Sequence, residues 1–256
     1  CKSVSPDDPA ATPQRPTISS GPTTTAAKTF ELEAGAAIDP SDVGVTPVTL
    51  KYGADERTEV FGSWNVLTYR QEPQSEAGIG DLRVGARHRF AEETEKAPAM
   101  SVEGELKLPT ADAQKGLGTG VIDAAFAFAA GKKLGSVDVT GYYQLGLLSA
   151  AARQGVDVAH ILTAGGQVPL SKAGWSVFGE LAGRYVPARD FNGMQLMGGV
   201  YYRPAPALVF DVAVATGFGT DFPDFTLLFG LTRNFGGKRA TTPTSSTGAA
   251  AGACLL

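Results

Sequence analysis

Arg83, Arg87 and Arg89 share one face of a short extended segment, whose alternate positions are Leu82, Val84, Ala86, His88 and Phe90. Successive side chains of a strand point to opposite faces, which sets the three guanidiniums together and the apolar groups opposite them. Residues 99–108 repeat the pattern, with Ser101, Glu103, Glu105 and Lys107 on one side and Met100, Val102, Leu106 and Leu108 on the other. Paired antiparallel, the two charged faces meet, and the chemistry available is bidentate pairing of guanidinium with carboxylate. Bond-making chemistry would need a base beside a nucleophile or a metal. The only two histidines, His88 and His160, fall on apolar faces, and no G-x-S-x-G, H-E-x-x-H or Cys/His cluster occurs. No catalytic residue, metal ligand or cofactor is therefore assigned.

The elements that must position these charges are short alternating segments separated by turn clusters. Twelve can be placed, at 29–35, 46–53, 57–67, 81–91, 98–108, 119–131, 135–149, 156–168, 174–186, 193–203, 207–217 and 223–235. A soluble sandwich also alternates, but it buries its apolar face. Two features favour the opposite orientation: Tyr143, Trp175, Tyr185 and Tyr202 lie near segment ends on the apolar face, and several segments reach the ~10 residues that a tilted membrane strand needs. The expected fold is all-β: a closed, antiparallel, up-and-down transmembrane β-barrel of about twelve strands. An even count puts both termini on one side, taken here as the periplasmic one. The linkers Gly53–Glu56, Lys132–Gly135, Ser171–Gly174 and Arg203–Ala207 are then tight periplasmic turns, and Gln71–Gly80, Thr110–Gly118 and Phe218–Pro223 are longer outer loops.

Composition agrees. The 256 residues are 43% hydrophobic, with a mean hydropathy of −0.02. Half of each barrel strand faces a polar interior, so an average near zero is what such a barrel gives. A net charge of −4 without a basic cluster argues against nucleic acid as a partner. Residues 1–28 are rich in Pro, Ser, Thr and Ala without apolar periodicity and read as a disordered leader. Its first residue, Cys1, followed by a polar tether, resembles the start of a mature bacterial lipoprotein, in which Cys1 would carry the lipid. The alternative is a boundary without chemical meaning. Residues 236–256 read as a second disordered stretch, ending near Cys254, which forms a disulfide with Cys1 or stays free, and is left unpaired if Cys1 carries the lipid.

Following the pleat, the barrel interior receives Glu31, Glu33, Lys51, Glu59, Arg83, Arg87, Arg89, Glu103, Glu105, Lys107, Asp123, Asp138, Tyr142, Glu180, Arg184 and Asp211. These line a polar pore and set its selectivity, or they form a salt-bridge network that holds a narrow barrel shut. A twelve-stranded barrel lies between filled eight-stranded barrels and open porins, which favours a narrow or obstructed lumen.

Three stretches carry a family likeness. Gly78-Ile79-Gly80-Asp81-Leu82-Arg83-Val84-Gly85 forms a G-x-G-D-L-x-V-G run; Lys107-Leu108-Pro109-Thr110 leads through a polar loop to Gly116-Leu117-Gly118-Thr119-Gly120; and the last strand runs from Pro223 to Phe235. Over about residues 46–235 the chain resembles the MetA-pathway of phenol degradation family. The resemblance implies a bacterial outer-membrane β-barrel for passive transport of small molecules, with aromatic or hydrophobic compounds as solutes. Its partners would be outer-membrane lipids, the solute and the barrel assembly machinery. A plugged structural or surface-display barrel is the alternative, and an outer-membrane lipid-modifying enzyme is the least favoured. In the residues themselves, the glycines let the loop before residue 81 turn, and Asp81 can cap backbone donors there.

Overall fold

The computed structural model describes residues 9–39, 43–70, 76–149, 155–170, 173–189, 191–219 and 222–236. Alternation of β-branched and aromatic residues with polar or small ones gives twelve long strands: β1 (Phe30–Ile38), β2 (Val43–Gly53), β3 (Thr58–Arg70), β5 (Leu82–Ala91), β6 (Ala99–Leu108), β7 (Asp123–Leu134), β8 (Val137–Ser149), β9 (Val156–Pro169), β10 (Trp175–Val186), β11 (Phe191–Ala205), β12 (Leu208–Gly219) and β13 (Thr226–Asn234). A short strand absent from the sequence expectation, β4 (Glu76–Gly78), pairs with the outer end of β3. Consecutive strands pair antiparallel around the molecule, and β1 pairs with both β2 and β13, so the sheet closes on itself. Closure leaves no long sheet edge open to solvent.

One turn of the sheet shows why the hairpins form where they do. Gly174 has φ 84, and a Cβ there would come within 2.2 Å of the Arg203 carbonyl oxygen. Only glycine meets both conditions, and that fixes the entry into β10 beside β11.

Burial decides which face is outside. Leu162, Phe126 and Phe218 are 65%, 58% and 58% exposed, whereas Glu31 and Glu59 are 0% and Lys51 is 2% exposed. A water-soluble fold would reverse this, so the outer surface is the apolar one and it faces lipid. Aromatic pairs mark its lower edge, at the end where β1 begins and β13 ends: Phe30 against Tyr52 at 4.8 Å and Trp175 against Tyr202 at 4.5 Å. The protein is a transmembrane β-barrel that crosses the bilayer with strands.

Most strand ends lie within three residues of the sequence expectation, and two differences go further. β7 begins at Asp123 rather than at residue 119, because residues 109–122 are drawn into an ordered loop by Asp81. Residues 9–28, expected to be a disordered leader, instead lie inside the barrel, held by side chains of the wall. Their want of apolar periodicity was read as a want of structure, but this segment needs no core of its own because the lumen supplies its partners. Residues 1–8 with Cys1, and 237–256 with Cys254, lie outside the described residues.

Candidate functional site

The lumen is built from the alternate residues of every long strand and from the segment within it. The segment enters at the end where β1 begins and β13 ends, expected to be periplasmic, and there the Ala11 amide donates to the Pro206 carbonyl at 2.9 Å. It rises to the level of Asp211 and Glu180 and returns to the same end at Ala27, which bridges Gly53 before β1 begins. Pro13, Pro16 and Pro22 lack amide donors, and the segment forms no ladder with the wall beyond that one bridge among the described residues.

Buried backbone groups need partners, and here charged side chains of the wall supply them. Glu31 accepts from the Thr12 amide at 2.9 Å and Glu33 from the Gln14 amide at 2.9 Å. Glu180 takes the amides of Ile18 at 2.7 Å and Ser19 at 3.0 Å, together with the Ser19 hydroxyl. Glu59 takes the Thr25 amide at 2.6 Å. Cationic and phenolic groups take the carbonyls: Lys51 donates to Thr12 at 2.7 Å, Arg87 to Thr23 at 3.3 Å, Arg203 to Ala11 at 3.0 Å and Tyr201 to Arg15 at 3.0 Å.

The same charges neutralise one another across strands. Lys51 on β2 meets Glu31 and Glu33 on β1 at 2.5 and 2.7 Å. Arg87 on β5 meets Glu59 on β3 at 2.8 Å and reaches Glu103 on β6 through Nε at 2.9 Å. Each group is nearly or wholly removed from water, where charge pairs with full hydrogen bonding hold and lone charges do not. Arg15 is the one charged side chain that the segment places in the interior; its Nε lies 3.0 Å from Asp211. It fits because Gly35 and Gly230, opposite one another in the register, leave a slot: a Cβ on Gly35 would come within 1.9 Å of the guanidinium.

Toward the outside, Arg83 pairs with Glu105 at 2.6 Å, and Lys107 pairs with Asp123 at 2.5 Å and bonds the Thr119 hydroxyl. Asp81 does not cap its own turn. Its carboxylate accepts from Ala111 at 3.1 Å and Thr119 at 3.0 Å, which ties the 109–122 loop to the approach to β5. Leu117 of that loop is buried against Gly78.

The remaining inward charges stand at the rims. Asp138 pairs with Lys133 at 2.9 Å and Arg89 with Glu92 at 3.2 Å, both near periplasmic turns; Arg184 lies at the outer end of β10. Tyr142 is buried beside Ala127 and Ala129. His88 and His160 lie on the outer face, bonded to Thr58 at 3.0 Å and Tyr143 at 2.9 Å. Cavities of about 180 and 300 Å³ lie between the segment and the β8–β12 wall, sharing Pro13, Asp138, Gln167 and Tyr201. A third, of about 210 Å³, lies on the β1–β6 side against Arg15, Lys51 and Arg87.

Sequence reasoning missed Thr12, Gln14, Arg15, Ser19 and Thr25. One signal could have found them. The expected lining held nine carboxylates and six cations, an excess that calls for further donors.

The sequence matches the family described as "Putative MetA-pathway of phenol degradation" over residues 14–235. The chain belongs to this family. Because the match begins at residue 14, most of the lumen segment falls within the family's span. Among solved structures, an outer membrane channel from Pseudomonas putida F1 aligns with a TM-score of 0.64 at 13% identity, covering 86% of this chain and 100% of that one, which shows a shared fold. The beta domain of the Bordetella autotransporter BrkA, at 0.45 and 12% identity, covers 82% of this chain and 99% of its own. An anion-selective porin from Comamonas acidovorans, at 0.39 and 10%, covers 74% and 59%; neither of these two likenesses carries weight. No curated protein matches the sequence.

Proposed function

We propose that this member of the phenol-degradation family is a passive outer-membrane channel for small solutes, closed from the periplasmic side by residues 9–28. The observation that carries the reading is how the segment is held. Its amides and carbonyls bond to wall side chains, with open cavities on either side of it, instead of joining the sheet as a strand. Contacts of that kind can be exchanged for water one by one, while the barrel stays closed by its own ladders. The wall ions on β1–β6 remain paired without the segment. The family's description, and the rings of Phe61, Tyr142, Phe178 and Tyr201 among inward polar groups, favour small aromatic or hydrophobic compounds as solutes. No turnover chemistry belongs to this reading.

The test is single-channel conductance in planar bilayers of the intact chain and of a chain lacking residues 9–22. The shortened barrel is expected to give larger and more frequent steps, and small aromatic acids and phenols are expected to block them. A shortened barrel that inserts stably and carries no current would overturn the channel reading in favour of a structural barrel.

A further inference from the structure

The inner wall has two unlike halves. From β1 to β6 the mid-barrel carboxylates are neutralised by wall cations, Lys51 and Arg87. On β10–β12 they are not. Asp211 has Arg15 of the segment as its ion-pair partner, and Glu180 is held by segment amides and the Ser19 hydroxyl; among the described residues neither has a wall Lys or Arg within 4 Å. Two arginines share this inner face, at its ends. Arg203, at the periplasmic mouth, donates to the Ala11 and Pro206 carbonyls, and Arg184 lies four residues beyond Glu180 toward the outside.

Between the two carboxylates the wall is aromatic. Phe178 and Tyr201 lie with ring centroids 4.6 Å apart, and Phe178 fits over Gly199, where a Cβ would come within 2.7 Å of the ring. Met197, Val209 and Ala213 complete an apolar floor, and Tyr201 stands directly opposite Asp211 in the register. Paired carboxylates flanking ring faces attract a flat cation: the acids take its N–H donors and the rings its delocalised charge. In the closed barrel the Asp211 end of this patch is taken by Arg15, the only charged residue between positions 9 and 27, whose guanidinium lies against Gly35 and Gly230 and donates to the Phe229 carbonyl at 2.9 Å.

We infer that the patch formed by Phe178, Glu180, Tyr201 and Asp211 is a binding site for organic cations with a flat, partly apolar body, of the amidinium or guanidinium type, and that Arg15 holds its Asp211 end as an internal stand-in. This rests on the reading of residues 9–28 as a removable gate. A solute of that class competes with Arg15 for Asp211, so its arrival favours withdrawal of the segment.

The test uses the full-length chain carrying Arg15→Ala, in detergent, with benzamidinium, benzoate and benzyl alcohol as probes in titration calorimetry. Benzamidinium is expected to bind about tenfold or more tightly than the other two, and Asp211→Asn in the same background to abolish the preference. Equal binding of the three probes, no binding, or a preference that survives Asp211→Asn would overturn the assignment. If Arg15→Ala is not recovered folded, Arg15→Gln keeps the side chain's length and carries the same expectations. Conductance separates the two ideas. A chain that binds benzamidinium and never conducts retains the site and overturns the channel; one that conducts without preferring the cation retains the channel and overturns the site.

Discussion

Arg87 stands between Glu59 and Glu103 with 3% of its surface exposed and also donates to the Thr23 carbonyl of the lumen segment. Replacing it by Met leaves two buried carboxylates without a cation, a loss of roughly 3–5 kcal/mol by the measure of other broken buried pairs. The expected readout is a lower temperature for loss of the compact, fast-migrating form on semi-native gels, with part of the loss recovered in Arg87→Met/Glu59→Gln. An unchanged transition would mean that the pair is not held in the dry geometry described. Gly35 gives a second test at this scale. A Cβ there collides with the Arg15 guanidinium and with no wall atom among its nearest neighbours, so Gly35→Ala should expel Arg15 while sparing the sheet. More frequent channel openings with at most a modestly lowered unfolding temperature are expected; openings at the wild-type rate would show that Arg15 does not latch the segment. The wall partners of these residues could be read from alternation, because a strand fixes the face of each side chain. Arg15 could not: it belongs to no periodic element, and its partner lies 196 positions away.

Among the elements, the strands show how far local patterning reaches. Segments such as 81–91 and 98–108 end within a residue of the observed β5 and β6, since turn clusters bound them and their two faces differ sharply. The loop between β6 and β7 is a different case. Its far end was placed too early because the sequence around Thr119 carries no sign that Asp81, on another strand's approach, would hold its amide. Asp81→Ala removes the acceptor for Ala111 and Thr119 and the charge beside Lys107. The 109–122 loop should then loosen while the barrel persists, and trypsin should cut the folded protein faster after Lys115, which is half exposed. Cleavage at the wild-type rate would show that the loop is held by Leu117 packing instead.

For the molecule as a whole, closure and occupancy are separate properties. The barrel is closed by ladders from β1 round to β13, and these do not involve residues 9–28. Removing the segment takes the Arg15 partner from Asp211 and the amide donors from Glu180, in a lumen that water then enters. Deletion of residues 9–22 is therefore expected to lower the unfolding temperature modestly without preventing insertion into vesicles, since solvent replaces the lost hydrogen bonds. Failure to insert would assign the segment to assembly of the barrel instead of its gating.

The sequence by itself determined the twelve long strands and which charges share the polar face of each, because both follow from a two-residue period acting within a single strand, whereas burial in the folded barrel settled that the apolar face is the outer one. It also carried the family, through the Gly78–Gly85 run, the loop that follows Thr110 and the last strand. Only the tertiary structure decided that residues 9–28 fill the lumen, that Asp81 organises a loop on the far side of two strands and that Glu180 and Asp211 depend on the segment for their partners. The physical reason is common to all three. Each depends on hydrogen bonds made by irregular backbone to side chains distant in sequence, and such bonds leave no periodic trace in the residues that make them.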